Sequence, residues 1–259
     1  MSSLKIYSFS ATGNTRVIGE KLSEMYEKHY KEKSEDLVGI GFPCYAFTYP
    51  GEPVGKLLIK LEKEQKKRPI KAFIYATCCL SPGTSLDEVH RELNRAGIPV
   101  VGKFSFRCPS PGFFALSTGR ERGLRGVFLR HVCNYERNLS KSIEKAAAIL
   151  ARAEEKRFRS LLCNIKIFLN TPRRRFAHWN EHRLFRNYKI DYEKCQLCFH
   201  CVKNCPVSNM AYINGEVRFI NSKDCLKCMS CISNCPQDCI TLGPGSAGMR
   251  RYNIHSGIF

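Results

Sequence analysis

The sequence predicts an α/β domain built on a parallel sheet, followed by a small cysteine-rich α+β domain. Three observations carry this. Strand-like and helix-like stretches alternate over the first 150 residues, the signature of strands joined by crossover helices. The run Ala72–Thr77 is apolar without alternation, as in a strand covered on both faces. After residue 189, one cysteine pattern occurs twice, thirty residues apart.

The elements follow in order. Residues 4–10 read as a strand, stopped by the turn residues Ala11, Thr12, Gly13 and Asn14. Val17, Ile18, Leu22, Met25 and Tyr26 then repeat at helical spacing. Leu37–Phe42 is an apolar strand ended by Pro43, and a Lys-rich helix covers roughly 54–67. Beyond the 72–77 strand, Ser85 and Glu88 form a capping box that opens a helix carrying Leu86, Val89 and Leu93. Val100–Phe106 supplies a fourth strand, and Leu139, Ile143, Ala147 and Leu150 mark a closing helix. These readings divide the chain into an α/β domain (1–150), a basic helical linker (151–189), a cysteine-rich domain (190–245) and a tail (246–259).

Composition narrows the function classes. Of 259 residues 43% are apolar, with 16 Phe and 11 Tyr, enough for a packed core and too many for a disordered chain. No run approaches the eighteen or so apolar residues of a membrane span. The first residues lack the basic and apolar regions of a secretory leader, so a cytoplasmic location is expected. In that setting fifteen cysteines, an odd number, point to reduced thiols and metal chemistry rather than disulfides.

The formal charge of +19 is uneven: residues 151–189 hold 11 basic and 3 acidic side chains, while 190–245 hold 5 of each. Arg173, Arg174 and Arg175 with Phe176, Trp179 and Phe185 make a basic, amphipathic belt. Such a belt suits domain docking or an acidic redox partner. Nucleic acid is not expected, because no recognised binding module accompanies the charge. Arg120, Arg122, Arg125 and Arg130 form a looser cluster, read as a solvated face. Oligomeric state is not legible.

Two motifs carry chemistry. Ser10, Ala11, Thr12, Gly13, Asn14 and Thr15 lie between a strand and a helix. Hydroxyls, a turn-permitting glycine and free amides at a helix start together make an anion cradle. No Lys follows the glycine, and one glycine is too few for a dinucleotide fingerprint. The loop resembles the phosphate loop of flavodoxins, S/T-x-T-G-x-T, which implies FMN. The resemblance implies that the flavin ring lies against the loops after the next two strands, here Pro43, Cys44, Tyr45, Ala46, Phe47, Thr48 and Tyr49, and Thr77, Cys78, Cys79 and the residues to Gly83. Tyr45, Phe47 or Tyr49 would stack on the ring, or else pack in the core. Cys78 and Cys79 depart from the usual glycine-bearing loop and read as small filler. Only about six residues separate the first helix from the Leu37 strand, so the outer strand and helix of a full flavodoxin are missing. The right-handed crossover rule then places the Leu37 strand directly beside the first.

The second motif is Cys195-x2-Cys198-x2-Cys201-x3-Cys205-Pro206, repeated as Cys225-x2-Cys228-x2-Cys231-x3-Cys235-Pro236. Zinc sites use paired CxxC hooks, and this is not that pattern. It resembles the bacterial ferredoxins with two [4Fe–4S] clusters. That resemblance implies crossed ligation: Cys195, Cys198, Cys201 and Cys235 on one cluster, and Cys225, Cys228, Cys231 and Cys205 on the other. Eight thiolates around two such clusters would leave that domain at about −4, beside the basic belt. Cys239 reads as a packed thiol and His200 as a surface residue.

As a whole the chain resembles the flavodoxin–ferredoxin fusion proteins of anaerobes. The implied function is electron transfer between the clusters and FMN and on to a protein partner. Two alternatives stand beside it: a self-contained FMN-dependent reductase of a small molecule, and a cluster-bearing subunit of a larger complex with a degenerate flavin site. No acid–base pair or nucleophile stands out, so no catalytic residue is named.

Overall fold

The computed structural model describes residues 4–29, 36–45, 48–114, 122–151, 188–221, 224–242 and 251–252. The expected belt therefore lies, apart from its ends, outside the described residues, as do Ala46 and Phe47.

Four parallel strands, β1 (Lys5–Ser8), β2 (Leu37–Pro43), β3 (Lys71–Cys78) and β4 (Val100–Arg107), hydrogen-bond in the order β1-β2-β3-β4. β2 sits directly beside β1, as expected for a sheet without an outer strand. Helices α1 (Asn14–His29), α2 (Gly51–Gln65) and α3 (Ser85–Arg95) connect them. The short α4 (Pro111–Phe114), α5 (Gly123–Val132) and α6 (Leu139–Ala151) follow.

Alternation along β3 sorts the helices into two layers. Phe73 and Tyr75 pack with Ile18 and Leu22 of α1 and with Ile143 and Ala147 of α6. Ala72, Ile74 and Ala76 pack with Val54 and Leu61 of α2 and with Val89 and Leu93 of α3. The sheet is thus buried on both faces, which is why its strands read as unbroken apolar runs.

One consequence was not expected from the sequence. The sheet is crossed in a single direction from β1 to β4, yet α1 lies on one face and α2 and α3 on the other. The β1–α1–β2 connection therefore has the opposite hand to the next two. Since right-handed crossovers prevail in about 98% of cases, the pair sharing a face takes the common hand and the first connection is the exception. The right-handed rule thus fails as a reason for the β1–β2 pairing, although the pairing itself is observed. The physical reason is packing: α1 needs the face where Tyr75 and α6 bury its Ile18 and Leu22.

Tyr75 is completely buried. Its hydroxyl donates to the Thr15 carbonyl at 3.0 Å, so the ring braces the start of α1. Gly41 of β2 leaves the space this ring occupies: a Cβ there would come within 2.1 Å of Tyr75 Cζ. The expected capping box at Ser85 does not form. Thr84, not Ser85, is the N-cap of α3, and its hydroxyl donates to Glu88 Oε1 at 2.8 Å.

The second domain pairs β5 (Lys189–Ile190) with β8 (Ile240–Thr241), and β6 (Met210–Ile213) with β7 (Glu216–Phe219), both antiparallel. Asn214 and Gly215 turn the β6–β7 hairpin, both at positive φ, as a two-residue hairpin loop requires. Two one-turn helices, α7 (His200–Lys203) and α8 (Ser230–Ser233), stand one in each cysteine repeat. Among the described residues no helix is long and apolar enough to cross a membrane.

Candidate metal centre and phosphate loop

The two cysteine repeats fold alike down to their backbone. Leu197 and Lys227, Phe199 and Met229, and Ser208 and Asp238 form three equivalent pairs, all with φ between 50° and 61°. None is glycine, and left-handed geometry on such residues costs energy that persists only where the surroundings demand it. Here the left-handed turns fold the chain back on its own sulfurs. Lys227 N–H donates to Cys225 Sγ at 3.4 Å and Asn209 N–H to Cys205 Sγ at 3.1 Å. Amide donors aimed at sulfur favour negative charge there.

Cys225, Cys228 and Cys231 share one cavity with Cys205 of the other repeat. Tyr188, Met210, Phe219 and Met229 supply apolar walls. Four thiols from two motifs thus line one space, with the buried Lys227 ammonium beside it over the Tyr188 ring at 5.2 Å. Burial pushes the Cys228 thiol up to about 12 and Cys231 well above the usual thiol range. Thiolates here need a compensating cation, and that donor set, soft and fourfold, fits iron in a sulfide cluster. The first repeat's Cys195 and Cys201 lie near Cys235 of the second, within the same apolar core as Cys205 and Cys231. Cys201 is also held above its ordinary value, first by burial, with Cys235 and Cys195 adding to the effect. Cys198 is exposed. Cys205 thus lies with the cysteines of the second repeat, and Cys235 lies near Cys195 and Cys201 of the first.

Cys239 is buried, with its sulfur 3.3 Å from Cys235 Sγ. It is packed as expected, but against a candidate ligand rather than against aliphatic core. His200 is exposed.

At the other end of the chain, Gly13 takes φ 97° and its carbonyl accepts the first helical bond of α1, from Val17 N–H at 3.0 Å. Ser10, Ala11, Thr12 and Gly13 are half-buried, whereas Asn14 and Thr15 are buried. Thr15 Oγ1 lies 2.8 Å from Thr77 Oγ1 at the end of β3, so two expected site residues meet. If Thr77 donates, the Thr15 proton is left for an anion. Asn14 is engaged differently: its Nδ2 donates to the Pro109 carbonyl at 3.2 Å, and its Oδ1 accepts from Tyr135 at 2.6 Å and from Tyr252.

The ring-contact residues divide. Tyr45 is half-buried and forms a reciprocal backbone pair with Thr48, at 3.0 and 2.9 Å. Tyr49 meets Phe42 edge-on at 6.3 Å and belongs to the core. Pro43 pairs with Thr77 at the sheet's end. Cys78 is 8% exposed, its thiol pushed up to about 12 by burial, and Cys79 is half-buried; neither is in a disulfide.

Tyr75, Tyr135, Tyr188 and Tyr252 were missed in the sequence. Tyr188 could have been found, since an aromatic directly before the first cysteine-domain strand has few other roles. Nothing local marks Tyr252.

Fold and site define a class: an α/β domain with a parallel sheet, joined to a small domain with the donor sets of a two-cluster iron–sulfur protein. Comparison with known families agrees for the second part. The family described as the 4Fe-4S dicluster domain matches residues 187–236, beginning three residues before the boundary expected from the cysteine spacing. A search of curated proteins returned no match. The matched domain points to iron–sulfur electron transfer.

Proposed function

We propose that this chain is a flavo-iron–sulfur electron-transfer protein, in which a shortened flavodoxin-like domain binds FMN and exchanges electrons with two [4Fe–4S] clusters. The observation that carries the reading is the pairing of two fourfold cysteine sets with a phosphate-type loop at the carboxyl end of a parallel sheet. Cys195, Cys198, Cys201 and Cys235 would hold one cluster, and Cys205, Cys225, Cys228 and Cys231 the other. The placement of α1 supports the flavodoxin-like assignment. Removing the outer strand and its following helix from a doubly wound sheet, without moving α1, leaves the one reversed crossover described above.

For the flavin, Ser10 and Thr12 would offer hydroxyls to the phosphate, with the amides that open α1. Thr15 would join through its hydroxyl, oriented by Thr77. Tyr45 or Phe47 would cover the ring. When bound, FMN supplies two-electron capacity beside one-electron clusters. The protein residues hold the two kinds of centre apart and in register, keep water from the buried thiols, and orient the phosphate. The basic belt would receive an acidic redox partner or dock the cluster domain.

The test is FMN titration of the cluster-loaded chain under argon, followed by flavin fluorescence. Saturable quenching at one FMN per chain is expected. No uptake at high FMN, with the clusters intact, would remove the flavin from this account.

A further inference from the structure

The stretch set aside as a tail contains two residues that bridge the domains, and the geometry points to a positioning role for them. We propose that Arg251 and Tyr252 make the centre of Cys195, Cys198, Cys201 and Cys235 the flavin's direct electron partner. The other centre is then left to meet the external donor. This inference rests on the flavin reading above.

Arg251 grips the second domain through backbone carbonyls. Its Nη1 donates to Ile232 O at 2.7 Å, and its Nη2 donates to Asp238 O at 2.6 Å and Ile240 O at 3.0 Å. The Asp238 carboxylate pairs with its Nε. Asp238 and Ile240 flank Cys239, whose sulfur touches Cys235. None of these partners lines the cavity of Cys205, Cys225, Cys228 and Cys231. A guanidinium fork bound to three carbonyls recognises a particular backbone shape. Here that shape is made by Ile232, between Cys231 and Cys235, together with the loop following Cys235.

The next residue reaches the opposite domain. Tyr252 is 2% exposed and donates to Asn14 Oδ1, with its oxygen 2.7 Å from the Tyr135 hydroxyl. Two hydroxyl protons serve three contacts, so Asn14 Oδ1 accepts from one or both tyrosines at any moment. Asn14 belongs to the phosphate loop. Adjacent Cα atoms are about 3.8 Å apart, so the Cys235 loop and the phosphate loop are separated by little more than two side chains.

The electron count closes with one external reductant, a reduced low-potential iron–sulfur protein that would give one electron to each cluster. Both electrons would reach FMN through the centre of Cys195, Cys198, Cys201 and Cys235, with two protons from water, and both clusters would end oxidised.

The experiment uses the full cluster- and FMN-loaded chain with a reduced bacterial ferredoxin as donor. Arg251→Ala and Tyr252→Ala should keep their iron and slow flavin reduction at least tenfold, and Tyr252→Phe should recover most of the Tyr252→Ala loss through ring packing. Cys205→Ala, lacking the outer centre, should still deliver the single electron of its prereduced remaining cluster to the flavin. Cys195→Ala should not. A structural readout needs no flavin: in the cluster-loaded, FMN-free chain, X-ray scattering should give a larger radius of gyration for both alanine variants. Unchanged scattering and unchanged rates in both variants overturn the proposal, as does flavin reduction that survives Cys195→Ala but not Cys205→Ala. Failure of FMN to bind the parent chain is a separate result, seen first in the titration, and removes this inference together with the flavin reading.

Discussion

Replacing Gly41 by alanine should strike the fold and the proposed phosphate site through one side chain. The new methyl would meet Tyr75 Cζ at 2.1 Å, its hydroxyl oxygen at 2.2 Å and Cε1 at 2.6 Å, where ordinary contact begins at 3.4 Å. The ring must move by about 1.3 Å, and it is fully buried, with Phe106 edge-on at 6.3 Å. Overpacking of this kind costs about 1–3 kcal/mol. A shift of that size also stretches the bond to the Thr15 carbonyl, adding about 1 kcal/mol. A loss of about 2–4 kcal/mol lowers the melting temperature of a domain this size by about 4–16 °C. Gly55 is the control: it lies in α2 with nothing within 4 Å of a Cβ. Alanine there should stabilise by about 0.5–1 kcal/mol. Thermal melts by near-ultraviolet circular dichroism compare the two. A Gly41→Ala melt within about 1 °C of the parent would refute the Tyr75 brace.

Cys205→Ala should halve the iron, from about eight to about four per chain, and the surviving cluster should be that of Cys195, Cys198, Cys201 and Cys235; loss of the first-repeat cluster instead would contradict crossed ligation. Thr12→Ala should weaken FMN binding about ten- to hundredfold, as expected for one hydrogen bond to a charged phosphate, with no change in melting. Thr15→Ala should lower both, because its hydroxyl also pairs with Thr77; an affinity unchanged from the parent in both variants counts against the loop. Burial raises the folded Cys78 thiol from 9.0 to about 12, so its contribution to stability is complete below about pH 9 and lost as pH rises through about 12. At pH 8 iodoacetamide mass mapping should therefore label the half-buried Cys79 well before Cys78, and equal labelling of the two would show Cys78 to be open.

The parts of this molecule that were legible in the sequence are those set by local pattern. Unbroken apolar runs gave β2 and β3, and the short interval before Leu37 gave the β1–β2 neighbourhood. The cysteine spacing gave the donor sets, because a two-residue gap and a following proline constrain the chain wherever they occur. The hand of the first crossover was not legible, since it depends on which face offers α1 a partner, and α6 lies more than a hundred residues away. The cap of α3 slipped by one residue because Glu88 answers Thr84 and Thr48 at once, at 2.8 and 2.5 Å. Tyr49 was open to either reading from its position after a strand, and it packs against the core beside Phe42. Tyr252 was invisible for the opposite reason: its meaning lies entirely in Asn14, at the other end of the chain.

The measurement that tests the central claim most directly is a coulometric titration of the anaerobically loaded protein. Two one-electron clusters and one two-electron flavin predict about four electrons per chain, with two of them bleaching the flavin band. About two electrons, with a full complement of iron and no flavin contribution at saturating FMN, would contradict the account and leave a two-cluster carrier alone.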